Sequence, residues 1–387
     1  MTPPRVAFFT DSLHEINGVA LTSREFVRFA ERTGRHLLAV CAGPGNRVHQ
    51  HGSVRCVQLA RSRILLRLER DLSFDLLFLR HRSRLRRHLT EFAPNLIHIT
   101  GPSHIGMLGA ILAHELRIPL VASWHTNVHE FAGRRLEQRL TWIGQESRRQ
   151  LTHWAQTLSF ELSMRFYRLA RILFAPNPQI VATLANRTGR PCSLMRRGID
   201  TSLFTPDRRK RQDEAFVIGF VGRLSPEKNV RLFVRIEEAL RNHGVRNYRF
   251  LIVGDGSERS WLKRNLKQAD LPGVLTGVAL AEAYAGMDAF VFPSETDTFG
   301  NVVLEAMASG VPVIVSNQGG PRFLVQSKKN GFVADGFDDF VEALVDLRTH
   351  AYTRDLQSAG ARATAMTYSW ENVFEDVYGD YQKLDQP

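Results

Sequence analysis

The stretch FVFPSETDTFGNVVLEAMASGVPVIVS, Phe290 to Ser316, sets an apolar run, a cluster of acids and hydroxyls, a helical pattern and a second apolar run in succession. A short apolar strand, a turn, a helix and another apolar strand form the repeating unit of a parallel α/β sheet. Glu295, Asp297 and Glu305 gather around the predicted helix start. Acids there are ordinary capping and dipole chemistry, so this stretch alone leaves a structural and a functional reading open.

The alternation extends in both directions. Upstream, FVIGFVGR reads as a strand, NVRLFVRIEEALRNHG as a helix, YRFLIVGDG as a strand and SERSWLKRNLKQA as a helix. The first half repeats the scheme with RVAFFTD, LTSREFVRFAERTG, HLLAVCAG, PNLIHITGP, IGMLGAILAHELRI, PLVASWHTN, RILFAPNPQI and PCSLMRRGID. Between the halves, GIDTSLFTPDRRKRQDEAF carries proline, a charge run and no periodicity, which predicts a connection. The expected organisation is a domain over 1–197, a connection over 198–215, a second domain over 216–365 and a closing aromatic-rich helix within 366–387. The predicted fold class is α/β, with two doubly wound domains facing across a cleft. Ligands of such sheets sit beyond the carboxyl ends of the strands.

Composition narrows the classes. The 387 residues are 43% apolar, enough for two cores. Three cysteines, at 41, 56 and 192, make neither a disulfide framework nor a zinc-ligand spacing. The opening MTPPRVAFFTD lacks the charged-then-apolar pattern of a secretory leader, and no apolar run reaches membrane-spanning length. A reducing, cytoplasmic setting is expected. The net charge of +12 is uneven: nine arginines lie between Arg61 and His88, interleaved with leucines, and RHRSRLRRH (Arg80 to His88) holds five of them. Such a segment suits an anionic membrane surface, a solvated helix face, or nucleic acid. No nucleic-acid-binding module accompanies it, so no nucleic-acid partner is expected.

Polar residues follow the predicted strands. In GFVGRLSPEKN, Arg223 ends a strand and Lys228 opens the next helix, a cation pair suited to a diphosphate or merely a capped, exposed turn. Gly254 and Gly256 of VGDG, and Gly18 of HEINGVA, permit tight turns or close approach of a ligand. The dinucleotide fingerprint GxGxxG is missing at the first turn, which removes the main support for a dehydrogenase. His125 of SWHTN stands at a strand end, where a lone histidine is more often structural than catalytic.

Taken together, FFTDSLHEINGV, SWHTN, GFVGRLSPEKN, LIVGDG and FVFPSETDTFGNVVLEAMASGVPVIVSNQGGP resemble, in order and spacing, the retaining nucleotide-sugar-dependent glycosyltransferases of family 4. The resemblance runs from about residue 5 to residue 325 and implies the two-Rossmann-domain GT-B fold. It implies that Glu305 holds the donor ribose hydroxyls, that Arg223 and Lys228 bind the diphosphate, and that Gly18 touches the same phosphates. It places His125 near the primary hydroxyl of the sugar. Backbone N–H groups around Phe299, Gly300 and Asn301 open the following helix and are expected to meet sugar or phosphate. At the first acid of the family's E-x7-E motif this chain has Asp297, a form shared with mannosyltransferase-like and sulfolipid-synthase-like members. The implied reaction moves a hexosyl group, mannosyl or glucosyl, from GDP- or UDP-sugar to a lipid or lipid-linked hydroxyl, with no cofactor beyond the nucleotide sugar and no metal. The expected location is cytoplasmic, peripheral on the inner face of the plasma membrane through the Arg61–His88 region. The segment HTNVHEFAGRRLEQRL is expected to line the acceptor route. A soluble sugar acceptor, a non-catalytic nucleotide-sugar-binding protein and an epimerase are the alternatives.

Overall fold

The computed structural model describes residues 3–11, 13, 18–62, 64–67, 73–125 and 145–385. The chain divides into two compact units, Met1–Arg196 together with Trp370–Pro387, and Arg197–Ser369.

The first unit contains strands β1 (Val6–Thr10), β2 (Leu37–Gly43), β3 (Arg47–His51), β4 (Val54–Ala60), β5 (Leu65–Arg67), β6 (Ser73–Asp75), β7 (Leu96–Ile99), β8 (Leu120–Ser123), β9 (Ile172–Ala175) and β10 (Cys192–Leu194). Its helices are α1 (Gly18–Arg32), α2 (Arg82–Phe92), α3 (His104–Leu116), α4 (Gln145–Tyr167) and α5 (Pro178–Thr188). Eight strands form one sheet in the order β10-β9-β8-β7-β1-β2-β4-β3. All its pairings are parallel except β3 with β4. β1 (VAFFT) and β2 (LLAVCAG) are buried at every residue, which is why they read as continuous apolar runs rather than alternating ones. β3 (RVHQH) is exposed throughout and closes one edge with polar side chains. Ser103 caps α3 by accepting from the Gly106 amide, and Asn177 caps α5 by accepting from Ile180.

The basic segment is several elements rather than one amphipathic helix. β5 and β6 pair as a small antiparallel hairpin, a 3-10 turn covers Phe78–His81, and α2 follows. α2 turns Leu85, Leu89 and Phe92 inward, leaving Arg82, Arg86 and Arg87 exposed. Beside them Leu76, Leu77 and Leu79 are each about half exposed to solvent. Arg80 is used internally, donating to Asp75 and to the Ala60 carbonyl.

The closing helix, Trp370–Gln382, packs on α1. Trp370, Phe374, Tyr378 and Tyr381 join Phe8, Phe26 and Phe29 in one aromatic cluster. Each large side chain buried there contributes about 1.5–3 kcal/mol of transfer free energy. Beneath the cluster, His98 of β7 is enclosed, its Nδ1 meeting the Tyr381 hydroxyl and its Nε2 the Ser123 hydroxyl at 2.6 Å. Both ring nitrogens are therefore satisfied without a proton from solvent, and burial pushes the imidazole down to about 3.

The second unit has β11 (Phe216–Val221), β12 (Tyr248–Val253), β13 (Ala269–Gly273), β14 (Ala289–Phe292), β15 (Val313–Ser316) and β16 (Gly331–Ala334). Its helices are α6 (Leu232–Asn242), α7 (Arg259–Asn265), α8 (Gly277–Ala285), α9 (Asn301–Ala308), α10 (Phe337–Thr349) and α11 (Ala351–Met366). The sheet order is β13-β12-β11-β14-β15-β16, with every pairing parallel. The stretch 198–215 belongs to this unit, with Ile199 and Phe204 in its core.

Each sheet reverses its order once. The chain builds outward from β1 to β2 and β4, then returns to lay β7, β8, β9 and β10 on the other side. In the second unit β11, β12 and β13 go one way and β14, β15 and β16 the other. The reversals fall between β1 and β7 and between β11 and β14.

Removing the hydroxyl in Tyr381→Phe leaves a buried imidazole nitrogen unpaired and is expected to cost about 1–3 kcal/mol in urea unfolding. An unchanged midpoint would show that this hydroxyl carries no stability. Because folded His98 stays neutral, the unfolded chain takes up a proton below the ordinary histidine value of about 6.5 that the folded chain refuses. Wild-type stability should therefore fall as pH drops from there toward about 3, and His98→Gln should flatten that part of the profile.

Candidate donor site at the carboxyl ends of the second sheet

The loops leaving β11 and β14 meet at the reversal of the second sheet. After β11 the chain runs through Arg223 and a 3-10 turn, Pro226–Lys228. After β14 it runs through Ser294 to Gly300 before α9 begins. Lys228 Nζ donates to both carboxylate oxygens of Asp297, at 2.7 and 2.6 Å. Its ammonium also lies 5.6 Å from the centre of the Phe292 ring. Ser294 adds a second tie, donating to the Glu227 carbonyl at 3.4 Å. Arg223 is exposed on the same loop.

Glycine lets the loops approach. At Gly254, φ is +137° and an added Cβ would fall 1.9 Å from the Gly222 carbonyl oxygen; at Gly256 it would fall 2.2 Å from that of Leu224. The VGDG turn is thus pressed against the backbone of the Arg223 loop, and both positions need glycine for that reason alone.

The acid-bearing loop is braced from the far side by Gly319, Gly320 and Pro321. The Gly320 amide donates to the Asp297 carbonyl at 2.6 Å. A Cβ on Gly320 would meet the Thr298 carbonyl at 1.9 Å. Gly300 itself has φ +91° against the Pro321 ring and opens α9 without a side-chain cap. Phe299 is buried in the core, so its side chain is taken up by packing. Asn301 is the first residue of α9, and Glu295 is exposed.

Glu305 lies one turn into α9. Its partner is the fully buried Tyr284 of α8, whose hydroxyl donates to Oε2 at 2.8 Å. Burial raises the carboxyl to about 7, with the Tyr284 hydrogen bond working in the opposite direction. The residue as a whole is only partly buried, and its carboxyl sits near neutrality. Tyr284 was not singled out in the sequence, because nothing in AEAYAGMD separates a core tyrosine from one that holds a carboxylate.

In the first unit, Gly18 is exposed and starts α1. His125 is buried, just beyond β8, where the Trp124 amide donates to the Phe174 carbonyl. Most of the HTNVHEFAGRRLEQRL stretch lies outside the described residues. Among the described residues, no group of three or more His, Cys, Asp or Glu side chains is placed to hold a metal ion.

Residues 16–203 match the glycosyltransferase family 4 model, and residues 215–350 match the model for group 1 glycosyl transferases. A GDP-mannose-dependent alpha-mannosyltransferase of Mycolicibacterium smegmatis is 32% identical over 98% of this chain and 97% of its own. A sulfoquinovosyl transferase of Arabidopsis thaliana is 27% identical over 95% of this chain and 71% of its own. Among solved structures, sucrose-phosphate synthase from Thermosynechococcus elongatus superposes with a TM-score of 0.75 at 17% identity, covering 98% of this chain and 99% of that one. The two Rossmann-like units are those of the GT-B fold. The chain belongs to glycosyltransferase family 4 and is a nucleotide-sugar-dependent hexosyltransferase.

Proposed function

We propose that this enzyme transfers a mannosyl or glucosyl group, with retention, from GDP- or UDP-sugar to a hydroxyl of a lipid or lipid-linked acceptor. The observation that carries the donor side is the Lys228–Asp297 pair at the reversal of the second sheet. A cation and an acid held together there can divide one ligand between them. Lys228, with Arg223, takes the diphosphate and offsets the charge growing on it as the glycosidic bond breaks. Asp297 accepts from sugar hydroxyls and meanwhile keeps the lysine in place. Glu305 accepts from the two ribose hydroxyls, which a carboxylate can do with both oxygens. Gly18 leaves room for phosphate at the start of α1, and His125 meets the primary hydroxyl of the sugar. The name of the mycobacterial relative supports GDP-mannose among the donors.

The lipid acceptor is supported by Arg82, Arg86 and Arg87 lying beside the half-exposed Leu76, Leu77 and Leu79. Basic and apolar side chains so mixed suit an anionic leaflet. Among the described residues, no helix is long and apolar enough to cross a membrane, so contact of this kind would be peripheral, at the inner face of the plasma membrane.

Release of nucleotide from a panel of GDP- and UDP-hexoses, with and without anionic vesicles carrying diacylglycerol or phosphatidylinositol, tests the whole reading. One productive donor and dependence on lipid are expected; release indifferent to lipid points to a soluble acceptor. Lys228→Met should lower kcat/KM on that donor by about 10²–10³, and a change within threefold would remove the pair from the site.

Glu305 supplies a pH signature. Its value of about 7 means that the carboxylate needed for the ribose forms as pH rises through neutrality, so nucleotide affinity should increase from pH 6 to pH 8. Tyr284→Phe removes the bond that favours the carboxylate, and the midpoint should move to higher pH. Isothermal titration of GDP and UDP across this range checks both, and a flat profile would contradict the assignment.

Replacing Arg82, Arg86 and Arg87 by glutamine should weaken sedimentation with anionic vesicles by about tenfold or more. Equal binding by the variant would exclude this face as the membrane contact.

A further inference from the structure

The second unit has a cavity of about 290 Å³ that the donor reading does not use. Val217, Arg249 and Asp270 line it, and each is the second residue of its strand, β11, β12 or β13. The cavity therefore stands at the amino ends of the strands, whereas Arg223 and Asp297 lie beyond carboxyl ends. Its volume is near the lower end of ligand pockets. Leu251 adds to its floor, α8 supplies Ala279, Glu282 and Ala283, and the segment entering β11 supplies Lys210 and Arg211. α8 also carries Tyr284, the partner of Glu305, so the cavity and that acid share one helix.

The acids around this space are already engaged. Lys210 Nζ lies 2.6 Å from Glu282, and Arg249 Nη2 donates to Asp213 at 3.2 Å. Arg249 Nη1 is 3.7 Å from Asp270. Asp288 has Arg209 on one oxygen at 2.8 Å and Arg211 Nη2 on the other at 3.1 Å. Arg211 Nη2 also donates to the Ala215 carbonyl.

Donors remain. Arg211 Nε and Nη1 and Arg249 Nε are buried and have no acceptor among the described residues. The Arg211 side chain is only 12% exposed. Burial pushes its guanidinium down from the ordinary arginine value, with the Asp288 carboxylate working the other way. Arg209, two residues earlier, shows the contrast. Its terminal nitrogens are spent on the Ala285 and Met287 carbonyls and on Asp288. A purely structural reading fills the space beside Arg211 with water. A water there would rest on Val217, Leu251, Ala279 and Ala283, which offer it no side-chain hydrogen bond, and an ordered water needs two to four polar partners. N–H groups of cations facing an apolar floor instead match a ligand that is charged at one end and aliphatic at the other.

We propose that this cavity binds a small oxyanion with a short aliphatic chain, its phosphate or carboxylate head accepting from Arg211 and Arg249 while the chain rests on Val217, Leu251 and Ala283. The site is separate from the donor loops and holds whether or not they bind as assigned above.

The test titrates the full-length protein calorimetrically with propyl phosphate and inorganic phosphate, and with butyrate and acetate. Saturable binding by propyl phosphate, by butyrate or by both is expected, and the pair that binds names the head group. The chain-bearing probe should bind at least tenfold tighter than its chainless counterpart, since its carbons leave water. Arg211→Gln should weaken that binding about tenfold or more, the loss of hydrogen bonds from a charged group. Should that variant not fold, Ala279→Leu, which narrows the cavity without removing a polar group, should weaken it likewise. Lys228→Met should leave it within twofold. No saturable binding by either chain-bearing probe would overturn the site, as would equal affinity with and without the chain. Loss of binding in Lys228→Met with Arg211→Gln or Ala279→Leu unaffected would move the probes to the donor loops and overturn it too.

Discussion

A parallel sheet must cross over after every strand, and the crossovers are right-handed. Where the strand order reverses, the two connecting segments leave on opposite faces, and the backbone between them cannot close over the strand ends. That constraint operates once in each half of this enzyme. It gathers Arg223, Lys228 and Asp297 in the second unit, although these residues are far apart in the chain. The cores, the caps and the glycine contacts serve to hold those strand ends in register.

Charge and burial are handled differently at the two acids of the second unit. Asp297 has a lysine on both oxygens and is held by an opposite charge. Glu305 accepts from a tyrosine hydroxyl, and desolvation dominates its chemistry. An acid of the second kind responds to small changes around it. The motif that spaces the two acids eight positions apart therefore joins groups of unlike character.

The alternation of apolar runs and helical patterns was enough to read the α/β class, because strands buried on both faces leave unbroken apolar stretches such as VAFFT and VIVS. β3 was not legible, since RVHQH is polar and wholly exposed. β13 contains Pro272 and lies at a sheet edge, where the usual strand pattern is relaxed. The arginine-rich segment looked like one amphipathic element because its leucines and arginines interleave; the hairpin, the turn and α2 divide them by contacts that local spacing does not encode. At the site, Lys228 and Asp297 were recognisable from their motifs, but their direct pairing, across 69 positions, depends on strand order. Tyr284 was invisible for the same reason: it acquires its meaning only from a partner brought by another helix.

The brace behind the acid-bearing loop bears on which changes of sequence the loop tolerates. The amide of Gly320 is on the carbonyl of Asp297, and a side chain at 320 has no space beside Thr298. The two segments are locked to each other through main-chain atoms, which no change of side chain on the loop can loosen. Insertions or deletions between Ser294 and Gly300 would break that lock, while exchange of a side chain at 295, 297 or 298 would leave it intact. A change of functional group at those positions is thus made on a fixed frame of main-chain atoms.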